Sequence, residues 1–301
     1  MLLPRNVALM VLALALPACS VRRLAANSLG NALAEGGSTY ASDDDPELVA
    51  DATPFALKTM EALIEESPRH ERLLGATAAG FTQYGYAFLQ QQADFVEAED
   101  LAKATHLRNR ARRLYLRALD YGLRGLEVDF PGLRERLRTD RQAALAATRR
   151  EHVPLLFWTA TAWGAAIALA KDDAELTADQ ATAEALMRRA MALDEAHENG
   201  AGHDFFILYE GGRSSVGGSL TRAREHLERS VAISRGRRAA PYVAFAETAS
   251  VARQDRTEFE AMLGRALEVD PDAAKELRLS NRIYQKRARW LLARADELFV
   301  E

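Results

Sequence analysis

The chain has 301 residues, 48% of them apolar and 27% charged, with a formal net charge of −4. That composition supplies a sizeable core and excludes intrinsic disorder, and the mild acidity gives no global drive toward nucleic acid or anionic lipid. A single cysteine excludes a disulfide framework, so stability must come from packing.

Cys19 is that cysteine, and it closes an N-terminal apolar run. Arg5 supplies a short basic region, Val7 to Leu16 is apolar throughout, and Leu16-Pro17-Ala18-Cys19 follows. The run falls short of the roughly 20 residues that a spanning helix needs. A small residue at Ala18 suits a cleavage pocket, so the segment reads as a secretory signal rather than as part of the fold. Leu-x-Ala-Cys resembles the lipobox of bacterial lipoproteins, which implies cleavage before Cys19 and lipidation of its thiol. Ser20 stands where Asp would argue for inner-membrane retention, which favours the periplasmic face of the outer membrane. The expected division is a signal peptide over 1–18, a lipidated tether with an N-terminal helix over 19–41, and one all-helical domain over 42–301.

Past the tether every element reads as helix. Asp43-Asp44-Asp45-Pro46 offers an acidic N-cap followed by Pro at the first helical position. Thr53-Pro54 repeats that signal and predicts a kink or break before Glu66. Ser67-Pro68 opens a helix through Leu74, Ala78, Phe81, Tyr84 and Phe88, apolar at steps of three and four. The next spans Leu101 to Glu127 and stops at Phe130-Pro131-Gly132. A polar helical segment from Leu133 to Arg150 precedes an almost wholly apolar helix that starts at His152-Val153-Pro154 and carries Trp158, Trp163 and Ile167. A helix apolar on every side is a buried one, so this element is expected at the centre. Further helices follow over Ala178–Leu193, Phe205–Tyr209, Leu220–Ile233, Tyr242–Val251, Phe259–Val269 and Arg282–Phe299. No useful β alternation occurs.

These helices pair. Glu258 to Pro271 resembles the second helix of a tetratricopeptide repeat, with Ala266 small, Leu263 large a turn earlier, and Pro271 as the stop. Ala118 with Tyr115, Ala190 with Met187 and Ser230 with Leu227 echo the spacing. A small side chain lets helices approach and the large neighbour fills the groove. The expected architecture is an all-α superhelix of degenerate tetratricopeptide-like hairpins; an irregular Ala-rich bundle is the alternative.

A wider likeness then appears. Ser42-Asp-Asp-Asp-Pro-Glu-Leu-Val49, Ala52-Thr-Pro-Phe55, Leu73-Leu-Gly-Ala76 and Gly80 through Phe88 are similar to the T-component (TatT) family of TRAP-transporter-associated lipoproteins. Arg113 through Ala118, Trp163-Gly-Ala165, Gly217-Gly218, Arg222 through Arg229, Leu279-Ser-Asn281 and Trp290-Leu-Leu292 continue it in order. The resemblance implies a non-enzymatic, lipid-anchored accessory protein beside the periplasmic solute-binding protein of a tripartite ATP-independent transporter. It also implies an internal channel or cavity for an apolar ligand. The alternative is a general helical-repeat scaffold lipoprotein for envelope assembly or peptide binding. A homo-oligomer stays open in either case.

No catalytic constellation, cofactor motif or convincing metal site is visible. His197-Glu198 and His203-Asp204 with Asp194 fit no helix-borne zinc spacing and read as an inter-helix loop. Gly211-Gly212, Ser214-Ser215 and Gly217-Gly218 lack any phosphate-loop spacing and read as a loop closing a helix pair. Arg222, Arg224, Arg229, Arg235, Arg237 and Arg238 form a basic cluster diluted by Glu225 and Glu228, expected as a solvated, ion-paired face. The aromatic residues carry more information, because they recur on the first helix of successive pairs. In a superhelix those helices line the concave side. Tyr84, Phe88, Phe205, Tyr209 and Tyr242 are therefore the candidate ligand-lining residues, with core packing as the alternative and Trp163 expected in the core.

Overall fold

A computed structural model of the chain describes residues 23–299 apart from 171 and 214–216. Cys19, the signal segment, Ser214 and Ser215 lie outside the described residues. Those described residues are predominantly helical and contain no strand.

Helix α1 covers 23–35 and α2 Gly37–Ala41, followed by α3 Pro46–Glu66 and α4 Glu71–Tyr84. A π-helical segment, Gly85–Gln90, joins α4 to α5, Gln91–Val96. Then come α6 Leu101–Asp129, α7 Leu133–Thr139, α8 Arg141–Ala146, α9 Val153–Ala168, α10 Ala174–Ala178 and α11 Gln180–Leu193. The last third holds α12 Ala201–Gly211, α13 Leu220–Ser234, α14 Ala240–Phe245 with a second π-helical segment Ala246–Ser250, α15 Arg256–Glu268, α16 Arg278–Ala293 and α17 Ala295–Leu298.

The helix starts follow from short acceptor side chains at N-caps. Asp45 Oδ1 accepts from the N–H groups of Glu47 and Leu48, both at 3.0 Å, with Pro46 in the first turn. Asp100, Asp140, Asp173, Ser219 and Asp255 cap α6, α8, α10, α13 and α15 in the same way. Each such bond satisfies a donor that the helix itself leaves free. At α4 the cap is His70, whose Nδ1 accepts from Leu73 N–H at 3.2 Å, so this helix starts three residues after Ser67-Pro68. The break expected at Pro54 does not occur, and α3 runs through it. Pro54 lies on the exposed face, where water can take up the carbonyl that loses its partner. The polar segment after Gly132 is two short helices, divided at Asp140.

Packing proceeds between consecutive helices: α4 on α6, α9 on α11, α12 on α13, and α14 on α15. Tyr115 and Ala118, Met187 and Ala190, Leu227 and Ser230, and Leu263 and Ala266 are all buried at these contacts. The apolar helix α9 is central to the first half, packing on α4, α6 and α11. Its crossing with α6 depends on glycine, since a Cβ at Gly122 would lie 2.2 Å from Thr159 Oγ1 and one at Gly125 2.5 Å from Leu155 Cδ2. The core divides at α12, where Phe206 joins the cluster built on α6, α9 and α11 while Ile207 joins the cluster built on α13 to α16. The first and last thirds of the domain also meet, because α16 packs on α2 and α3.

Candidate functional site

The seam between the first and last thirds is where polar chemistry is buried. Arg287 on α16 donates through Nε to Glu247 Oε2 at 2.6 Å and through Nη1 to Asp94 Oδ2 at 3.0 Å. Asp94 stands on α5 and Glu247 in the second π-helical segment, so one guanidinium ties three elements across 193 positions of sequence. Burial works against its charge, but the attraction of Glu247 and Asp94 outweighs that and raises its pKa. Beside it the rings of Tyr86 and Tyr284 lie 5.6 Å apart, centre to centre. Burial pushes the Tyr86 phenol well above its ordinary range and that of Tyr284 up to about 12. Both side chains nevertheless keep some accessible surface.

The two π-helical segments therefore face this seam, one carrying Tyr86 and the other Glu247. A π-helical turn inserts one residue into an α-helical ladder and rotates the residues beyond it, a device that recurs at functional sites. At the first, a Cβ on Gly85 would lie 2.8 Å from Tyr115 Cε1, so glycine lets the Tyr115 ring press on the backbone there. The Tyr115 hydroxyl donates to Gln90 Oε1 at 2.7 Å.

Two pairs of the sequence-predicted aromatic residues come together. Tyr84 and Phe88 are half-buried, their rings 5.6 Å apart, and Tyr84 packs against the main core. Phe205 and Tyr209 are half-buried and stacked at 6.1 Å on α12, with Phe205 laid over Gly164 of α9. The Tyr209 hydroxyl donates to Glu184 Oε2 at 2.6 Å, and Arg213 covers its ring at 4.6 Å. Tyr242 stands apart: it is buried, its hydroxyl accepts from Arg265 Nη2 at 3.1 Å, and the same guanidinium lies 4.5 Å above its ring. Trp163 is buried in the main core.

The histidines of the α11–α12 loop do not converge. His197 meets Phe157 edge-on at 5.2 Å, whereas His203 turns to His226 of α13, Nδ1 to Nδ1 at 2.8 Å, and to Glu195 at 3.1 Å. Two facing Nδ1 atoms need one proton between them. With His203 Nε2–H donating to Glu195, His226 supplies it. Burial, then the charge of His203, takes His226 down to about 4, so both rings are neutral at neutral pH. A separate trio, Glu71, Asp129 and His152, is close enough to share a cation. His152 Nδ1 already accepts from Arg149 N–H at 3.0 Å, which puts the ring proton on Nε2, 3.2 Å from Asp129 Oδ2. That tautomer clamps a helix end and offers a metal no lone pair.

Arg222, Arg224, Arg229 and Arg238 of the basic cluster are ion-paired, but to carboxylates outside their own segment rather than to Glu225 and Glu228. Arg222 reaches Glu210, Arg224 reaches Glu258 and Arg229 reaches Glu195. Arg238 is buried on Asp204 and Ser230 instead of solvated. An open groove of about 780 Å³ lies between the α7–α8 turn and α11, with Arg141, Arg188 and Arg189 among its walls.

The family assignment rests on the whole domain. The sequence model of the TRAP transporter T-component family matches residues 42–299. The chain belongs to that family. A protein of Treponema pallidum (strain Nichols), described only as uncharacterized, is 30% identical in an alignment of 302 positions that covers 94% of each chain. Among the described residues no helix is long and apolar enough to cross a membrane. A T-component is an accessory part of a TRAP-type transporter, and the match spans every element from α3 to α17.

Proposed function

We propose that this chain is the lipid-anchored periplasmic accessory protein of a TRAP-type transporter, held at the outer membrane through Cys19. It docks the system's solute-binding protein, and its interior holds or passes an apolar ligand. Family membership over residues 42–299 carries this reading. The consecutive pairs α4/α6, α9/α11, α12/α13 and α14/α15, each with a buried small–large step, support a superhelix of degenerate repeats whose first helices face inward.

Two surfaces support the two roles. On the outward face of α3, Leu48, Ala52, Phe55 and Ala62 are exposed at steps of four, three and seven, which keep them on one side of the helix, and Phe55 is 79% exposed. That stripe is the proposed contact for the solute-binding protein. Tyr84, Phe88, Phe205 and Tyr209 present half-buried rings next to the seam and α12, and they are the proposed contacts for the ligand. Co-purification of the detergent-solubilised protein with the neighbouring solute-binding protein tests the docking role. Failure of the pair to associate, from native membranes and from purified components alike, removes it.

A further inference from the structure

The first helix after the lipobox has an uncovered apolar face. In α1, Ala26 and Gly30 are buried against the α3–α4 turn, and Asn27 Oδ1 accepts from Ser67 Oγ at 2.5 Å. The Asn27 carbonyl takes the Nε2–H of His70 at 3.2 Å, and Glu35 pairs with Arg72 at 2.8 Å. The helix is thus fixed on the domain. Its other side carries Leu24, Ala25, Ser28, Leu29 and Ala32, all exposed, with the exposed Glu35 closing the same arc at the helix end. At about 100° per residue they span an arc of about 140°. Leu24 is 70% exposed and Leu29 49%.

We propose that this face lies on the phospholipid bilayer, as an interfacial helix that sets how the domain stands on its lipid. The inference rests on the lipid-anchor reading above. Three residues lie between Cys19 and Arg23, so the four covalent steps keep the start of α1 within about 14 Å of an acylated Cys19. A helix that close to the membrane has its open side either in lipid or in water, and the residues on it decide. Between Cys19 and Glu35 there is no acidic residue, while Arg22 and Arg23 stand at the membrane-proximal end. Apolar residues facing out, basic residues beside them and a nearby acyl chain make the arrangement that binds an interface. A second contact also restricts rotation, which a lipid on a flexible tether cannot do.

The test uses the full lipidated protein in vesicles of phosphatidylcholine and phosphatidylglycerol, with and without brominated acyl chains. Cys19 is the sole cysteine and its thiol is consumed by lipid, so Leu29→Cys and, as control, the comparably exposed Leu101→Cys each accept one environment-sensitive fluorophore. The protein should float with the vesicles, and the label at 29 should brighten several-fold and be quenched by bromine while that at 101 stays water-like. A chain that floats with label 29 as water-like as label 101 overturns the interfacial helix and leaves the anchor intact. A chain that does not float overturns both.

Discussion

Replacing Arg287 by Met tests whether charge holds the seam between the first and last thirds of the domain. Met keeps much of the aliphatic reach and removes the guanidinium that bridges Glu247 and Asp94. The side chains of Arg287 and Glu247 are only 12% and 15% exposed, so solvent screens this pair little. Asp94 retains Arg108 at 2.8 Å, so Glu247 is the carboxylate left without an ion-pair partner. Removing one member of a buried pair costs about 3–5 kcal/mol. The retained Arg108 contact places the expected loss at the lower end, about 3 kcal/mol, or roughly 6–12 °C in Tm at this chain size. Urea unfolding should show a lower midpoint at an unchanged slope. Adding Glu247→Gln, which neutralises the stranded carboxylate, should recover more than half of the loss. A loss under about 1 kcal/mol, or one that Glu247→Gln fails to relieve, would show that apolar packing alone holds the seam.

Gly122→Ala should cost about 1–3 kcal/mol by overpacking the α6–α9 crossing, because Thr159 Cα lies 3.3 Å from the new methyl and cannot turn away; thermal melts check this. Stability should fall on acidification from pH 6.5 toward 4, since His226 titrates near 4 in the folded chain against an ordinary 6.5 and the unfolded chain takes up its proton first. Glu195, held down to about 2 chiefly by its bond from Arg229, adds a loss as pH drops below 4.5, and His226→Gln should flatten the upper part of the profile in urea titrations at each pH. Phe88→Gln and Tyr209→Gln should each weaken an apolar fluorescent probe at least about tenfold, or ~1.4 kcal/mol, while Tyr242→Phe leaves its affinity unchanged. Stability losses with constant probe affinity per folded molecule would return those rings to ordinary core.

Local signals made much of the fold readable in advance. Asp45-Pro46 and Phe130-Pro131-Gly132 mark helix ends by chemistry confined to a few residues, and the all-round apolarity of α9 announces its burial. Pro54 misleads for a related reason, because a local breaker is tolerated where its helix face meets water. The seam gives no such signal. Asp94, Glu247 and Arg287 each look like ordinary members of a solvated face, and only the return of α16 to the start of the chain brings them together. The π-helical turns are equally silent, since the ring of Tyr115 against Gly85 comes from another helix. The aromatic pairs Tyr84/Phe88 and Phe205/Tyr209 were visible as patterns, being four residues apart on one helix each. Tyr242 belongs to the same aromatic recurrence, but its buried ring and its bond from Arg265 of α15 could not be read from it.

Titration calorimetry of the purified protein with its cognate solute-binding protein addresses the docking role most directly. The docking role predicts saturable heat with the wild-type chain, and a large loss of affinity for Phe55→Asp, whose side chain is exposed and leaves the fold intact. Absence of any binding by the wild-type pair would contradict that role. Undiminished binding by the Phe55→Asp variant would show that the partner sits elsewhere than on the outward face of α3.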